Sequence, residues 1–180
     1  SSLVGSRPAA ESLLRKSYRR LRPGFLLYVG GDDPRKNLEG TILAYSLLPE
    51  SVRRAHQLVI VCNLPLARRA QLMAHGRRLG IRLRDLLLTG FVPEEELAAL
   101  YRGCELFIFP SLYEGAGLPV LEAMSCEAPV AASNSSSIPE ILGDLEATFD
   151  PADPTDIARC IVEVLESPGQ IDSLRERSRV

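Results

Sequence analysis

The chain contains no tryptophan, two methionines, two histidines and two lysines among its 180 residues. The histidines, His56 and His75, are isolated from one another and from any other ligand cluster, so a histidine-based metal centre is not expected. Long apolar runs are missing as well. The longest, Phe25–Val29 and Leu58–Cys62, are strand-sized and far from the roughly 18 to 20 residues of a membrane helix. No signal peptide is visible at the start. Cysteine is sparse: Cys62, Cys104, Cys126 and Cys160 lie in apolar contexts and form no C-x-x-C pair. They read as reduced core residues of a cytosolic protein. Neither sign of charge dominates, with 21 Lys and Arg against 23 Asp and Glu. That balance excludes a basic nucleic-acid binder of the usual kind, and 46% apolar content excludes a disordered chain. The length supports one core of ordinary size and is short for two, so residues 1–180 are expected to form a single domain.

Several sequence signatures are absent too. There is no P-loop, no zincin helix and no nucleophile elbow. Gly115-Ala116-Gly117 resembles the start of a dinucleotide fingerprint. Its third small position is filled by Val120 and the turn follows the fourth apparent strand, which sets aside an NAD site. Asn134-Ser135-Ser136 fits a glycosylation sequon, which carries no meaning in a cytosolic chain.

What is present is an alternation of two periodicities. Continuous apolar runs occur at Phe25–Val29, Leu58–Cys62, Leu86–Leu88, Leu106–Phe109, Val130–Ala132 and Ala147–Phe149. Each suits a strand buried on both faces, as in a parallel sheet. Amphipathic segments near helical period separate them at 37–48, 65–79, 94–103, 118–126 and 154–166, with a further helix at 9–20 and a polar one closing the chain. This order predicts an α/β fold: a doubly wound, mostly parallel six-stranded sheet with helices on both faces. Ligands of such sheets bind at the carboxyl ends of the strands, near the point where strand order reverses.

The loops at those ends carry the polar residues. After the first strand come Gly30-Gly31-Asp32-Asp33-Pro34-Arg35-Lys36-Asn37. Two glycines allow close approach of a ligand to the backbone. Arg35 and Lys36 are expected to open the next helix, where cations oppose the helix dipole unless an anion such as a diphosphate is bound between them. A solvated basic pair is the alternative. Asp32 and Asp33 read as turn residues rather than as metal ligands. After the third strand, Gly90-Phe91-Val92 can present backbone groups and an apolar surface to a flat base, while Glu94, Glu95 and Glu96 suit a helix start. After the fourth strand, Gly115 and Gly117 free the backbone and Pro119 fits the first turn of a helix beginning near Leu118. Glu114 and Glu122 then flank that turn, placed for sugar hydroxyls and for a ribose diol, respectively.

These residues resemble a known family. Tyr28-Val29-Gly30-Gly31, Pro34-Arg35-Lys36-Asn37, Gly90-Phe91-Val92-Pro93, Pro110-Ser111, Glu114-Gly115-Ala116-Gly117-Leu118-Pro119, Glu122-Ala123-Met124, Pro129-Val130 and Ile138-Pro139-Glu140 together resemble the retaining glycosyltransferases of the GT-B fold, family 4. The resemblance implies that the chain is only the C-terminal, nucleotide-sugar-binding half, with the acceptor-binding N-terminal half outside residues 1–180. It implies that Arg35 and Lys36 hold the donor diphosphate and that Glu114 lies near the donor sugar. It also implies that the backbone of Gly115, Ala116, Gly117 and Leu118 meets sugar and phosphate, that Glu122 binds the ribose, and that Phe91 and Val92 contact the base, with Gly30 and Gly31 lining the site. No metal or other cofactor is implied. The donor is a nucleotide-diphosphate sugar, with GDP-mannose suggested by the Gly-Gly-x-x-Pro-Arg-Lys-Asn form. The acceptor is a glycan or a lipid-linked glycan of surface polysaccharide synthesis, and the expected place of work is the cytoplasm or the inner face of the membrane. Three positions depart from the family pattern. Ala116 stands for a bulky aromatic, Glu127 for a turn glycine, and Gly31 for an arginine. An epimerase of the same fold and a non-catalytic binding module are the alternatives.

Overall fold

A computed structural model of the chain describes residues 6–143 and 147–178. Six parallel strands form one sheet: β1 (Leu26–Val29), β2 (Leu58–Val61), β3 (Leu86–Leu88), β4 (Leu106–Phe109), β5 (Val130–Ser133) and β6 (Thr148–Phe149). Their order is β3-β2-β1-β4-β5-β6. Register is parallel throughout, with Leu26 opposite Leu58 on one side and opposite Leu106 on the other. The central strands are buried on both faces, as continuous apolar runs require. The doubly wound sheet expected from the sequence is therefore present.

The helices are α1 (Arg7–Ser17), α2 (Leu38–Leu47), α3 (Glu50–Ala55), α4 (Leu66–Arg78), α5 (Glu94–Gly103), α6 (Leu118–Ser125), α7 (Ile138–Leu142), α8 (Pro154–Glu166) and α9 (Gln170–Arg177). One layer holds α1 against α5 and α5 against α6; the other holds α2 against α4 and α8. Tyr28, Tyr45, Tyr101, Phe107, Phe109 and Phe149 fill the space between sheet and helices. Tyr101 meets Phe107 edge-on, with ring centroids 5.2 Å apart. Cys62, Cys104 and Cys160 are buried free thiols, and burial lifts the Cys104 thiol to about 12.

Three local features differ from the sequence reading. Helix α1 starts at Arg7 and stops at Ser17, not 9–20. Ser6 caps its start, and Tyr18 leaves the helical path with its hydroxyl donating to Glu96 at 2.6 Å. Helices α3 and α7 have no counterpart in the sequence reading, because five or six residues are too few for an apolar period to register. Arg35 and Lys36 do not open α2. They lie in a separate 3-10 turn, Pro34–Lys36, where the Asp33 carboxylate accepts from the Arg35 N–H. Asn37 then takes a left-handed conformation (φ 57°) that breaks helical continuity, and α2 begins at Leu38.

Candidate functional site

Strand order reverses between β1 and β4, which lie side by side although β2 and β3 intervene in sequence. The loops leaving their carboxyl ends, Gly30–Asn37 and Pro110–Gly117, are joined directly. The Leu112 N–H donates to the Arg35 carbonyl at 2.7 Å, and the buried Ser111 hydroxyl lies 3.1 Å from that same oxygen. This junction brings the Lys36 ammonium onto the Glu114 carboxylate as a part-buried ion pair. The ammonium also stands over the Phe109 ring, 5.7 Å from its centroid. From below, the Tyr28 hydroxyl donates to the Lys36 carbonyl at 3.1 Å. A Cβ on Gly30 would lie 2.6 Å from that hydroxyl, so Gly30 makes room for Tyr28.

Arg35 projects differently. It is exposed, and its guanidinium grips Asp33 through contacts of 2.6 and 3.1 Å. Those hydrogen bonds hold the Asp33 carboxyl at about 2. Asp33 thus serves the turn, as expected from its place before Pro34, and Asp32 pairs with Arg68 of α4.

A third loop completes the site. The hydroxyls of Ser136 and Ser137 donate to the Glu114 carbonyl at 2.7 and 2.9 Å, and Ser135 reaches the Leu112 carbonyl at 3.2 Å. The sequence by itself marks Ser133–Ser137 only as a polar loop and assigns no role to Ser111, Tyr28 or Tyr101. The one available signal is a run of hydroxyls directly after the β5 strand.

At the start of α6, Gly117 has φ 55°, and a Cβ there would lie 2.5 Å from Ile141 Cδ1. Glycine is required by the fold at this position. Gly31 and Gly115 are different. Both are exposed, neither has a positive φ, and a Cβ at either would meet nothing within 4 Å. The N–H groups of Gly31, Gly115, Ala116, Gly117 and Leu118 have no hydrogen-bond partner among the described residues. Four of them form a consecutive row at the start of an eight-residue helix, a place that favours anions.

Glu122 lies one turn into α6, exposed, with its carboxylate accepting from the Tyr101 hydroxyl at 3.1 Å. Burial, reinforced by Glu122, raises the Tyr101 phenol far above its ordinary value, so the hydroxyl stays a donor. On the β3 side, Phe91 is 77% exposed while Val92 is buried at 8%. Of that pair only Phe91 offers its side chain to a ligand; Val92 has only its backbone to give. The two histidines lie elsewhere. His56 sits at the amino edge of the sheet, its Nδ1 2.7 Å from the Gly24 carbonyl, and His75 is on α4. Among the described residues no cluster of three His, Cys, Asp or Glu is placed to hold a metal ion, and no helix is long and apolar enough to cross a membrane.

Comparison with known proteins identifies the family and the fold. The model of the family described as "Glycosyl transferases group 1" matches residues 11–180. The O-antigen chain mannosyltransferase B of Escherichia coli is 39% identical over 178 residues, covering 98% of this chain and 45% of that protein. Among solved structures, sucrose-phosphate synthase from Thermosynechococcus elongatus superposes with a TM-score of 0.79 at 25% identity, over 93% of this chain and 43% of that one. The C-terminal domain of a glycosyl transferase group 1 family protein from Francisella tularensis superposes with a TM-score of 0.77 at 20% identity, over 90% of this chain and 86% of that one. The chain spans less than half the length of these curated relatives. By the family match over nearly its whole length, and with a sheet that follows the same fold, the chain belongs to the group 1 glycosyl transferases.

Proposed function

We propose that residues 1–180 form the donor half of a retaining glycosyltransferase, which binds a nucleotide-diphosphate sugar and presents its hexose to an acceptor held by another part of the protein. The observation that carries this reading is the Lys36–Glu114 pair set beside a row of unpartnered amides at the β1/β4 switch point. A diphosphate placed there is met by the Lys36 ammonium, by the α6 amides and dipole, and by Arg35 once it turns from Asp33. These groups stabilise the charge that gathers on the leaving nucleotide as the glycosidic bond breaks, so the reading requires no metal. Glu114 then lies near the sugar, where its carboxylate opposes the positive charge developing on the ring. Glu122, oriented by Tyr101, takes the two ribose hydroxyls, and Phe91 covers the base.

Gly31 and Gly115 support the same reading, because the fold leaves the space beside them empty. A mannosyl donor, GDP-mannose, is favoured because the relative at 39% identity is named an O-antigen chain mannosyltransferase. We place the acceptor among glycans or lipid-linked glycans of surface polysaccharide and the reaction in the cytoplasm. An epimerase is disfavoured by both histidines lying away from the site.

Titration calorimetry of the chain with GDP, UDP and ADP tests the reading. Binding of a nucleoside diphosphate, tightest for GDP, is the expected result. No heat with any of the three sinks the donor-site assignment. Sugar transfer by these 180 residues alone is not expected, since catalysis requires both reactants held together.

A further inference from the structure

The near-neutral total charge conceals a strong polarity. Three segments, 19–22, 50–54 and 77–85, hold nine arginines and only two acids, Glu50 and Asp85, a net charge of +7. The rest of the chain therefore carries −9 of the total −2. All three segments lie at the amino-terminal edge of the sheet, opposite the donor site, where the chain enters β1, β2 and β3.

Two buried polar side chains hold the segments together. Gln57, 1% exposed, donates to the carbonyls of Arg20 and Arg84 at 3.1 and 2.8 Å and accepts from the Arg22 N–H at 3.0 Å. Asp85, 3% exposed at its side chain, takes Arg22 at 3.0 Å and Arg82 at 2.6 Å. The Arg20 guanidinium donates to the Leu83 carbonyl at 2.9 Å, and Arg22 reaches the Arg54 carbonyl. Asp85 is thus used up inside the cluster and Glu50 on Arg54. Arg19, Arg77, Arg78 and Arg84 are exposed and pair with no acid among the described residues. At the tip of the turn before β3, between Arg82 and Arg84, Leu83 is 53% exposed.

We propose that this edge is a docking surface for an anionic lipid bilayer. The arginines meet lipid phosphates, and Leu83 enters the boundary between headgroups and acyl chains. An exposed leucine inside a fixed arginine cluster is what separates this surface from a purely electrostatic one. Guanidinium groups alone serve any polyanion, whereas an apolar tip gains only where hydrocarbon lies behind the phosphates. Docked in this way, the chain turns the carboxyl edge of its sheet away from the lipid and toward soluble nucleotide sugar. The inference stands apart from the donor-site reading, because vesicle binding and nucleotide binding are separate measurements and either can fail alone.

The test is co-sedimentation of the chain with vesicles of phosphatidylcholine mixed with phosphatidylglycerol, against phosphatidylcholine alone. Binding to the anionic vesicles only, weakened by salt, is expected. Arg78→Ala and Arg84→Ala should each lower the affinity about fivefold. Leu83→Ser should lower it several-fold more than salt screening explains, with thermal midpoint and nucleotide affinity unchanged. Equal binding to both vesicle types, indifference to the three substitutions, or binding to a homopolymeric RNA with no binding to anionic vesicles would each overturn the proposal.

Discussion

Lys36 and Glu114 are 78 residues apart in sequence and form one ion pair at the mouth of the sheet, their backbone carbonyls held by the hydroxyls of Tyr28 and of Ser136 and Ser137, respectively. The pair is part-buried, with the two side chains 23% and 15% exposed. Its members therefore have little freedom to turn elsewhere, and a diphosphate arriving at Lys36 finds the ammonium already placed.

Lys36→Ala should weaken nucleoside diphosphate binding by about 1.5 to 3 kcal/mol, while the parent nucleoside loses much less. Calorimetry with GDP and guanosine measures both. Equal losses for the two ligands would show that the ammonium does not meet the phosphates.

The two glutamates should separate cleanly. Glu122→Gln is expected to weaken every nucleotide, because an amide offers one acceptor oxygen where the carboxylate offers two. Tyr101→Phe should act in the same direction by releasing the Glu122 carboxylate, and should cost about 1 kcal/mol of stability through the lost hydrogen bond. Glu114→Gln should change GDP affinity less than Glu122→Gln does, because the amide oxygen can still accept from the Lys36 ammonium, and should lower turnover in the complete enzyme. If Glu114→Gln abolishes GDP binding and Glu122→Gln does not, the two roles are reversed.

Glycine substitutions divide the site into what the fold needs and what the ligand needs. Gly117→Ala forces a Cβ to within 2.5 Å of Ile141 at a positive φ and should lower stability by about 1 to 3 kcal/mol. Gly31→Ala and Gly115→Ala enter open space and should change stability by no more than about 1 kcal/mol. Both should nevertheless impair binding of GDP or a GDP-sugar. Thermal melts paired with calorimetry decide; unchanged affinity in both variants would remove the argument from empty space.

The Asp33 turn should leave a signature in acid. Its carboxyl is depressed from 3.8 to about 2 in the folded chain by hydrogen bonds to Arg35. The stabilisation is therefore complete above the unfolded value and is lost as pH falls from about 4 toward 2. Against Asp33→Asn, the stability difference should be constant from neutral pH to about 4 and shrink below that. Urea melts across this range would show it, and a difference independent of pH would mean that the Arg35 contact contributes nothing.

The glutamate at position 127 shows how far local sequence reasoning reaches. A glycine is usual there in the family pattern, and Glu127 indeed adopts φ 57°, the left-handed turn conformation that glycine accepts without strain. The six strands were legible for a similar reason. A run of apolar residues between turn formers has few other uses, and each strand begins and ends within one residue of its run. The glycine-rich turn and the α6 start at Leu118 were equally visible, since Gly117 and Pro119 impose them locally.

What the chain alone left open was which strands are neighbours. Apolar runs look alike, and parallel pairing joins segments far apart in sequence, so no local pattern says that β1 lies against β4. That one adjacency sets Lys36 on Glu114, stitches Leu112 to Arg35 and brings the β5 serines over the Glu114 carbonyl. It also explains why Arg35 and Lys36, adjacent in sequence, part company. The 3-10 turn directs one to Asp33 at the surface and the other into the crevice. The amino-acid sequence determined the residue types and the turns that hold them. Packing of the sheet decided which charges meet, because the free energy of burying two-faced apolar strands fixes their order, and the polar residues at their ends must accept the partners which that order provides.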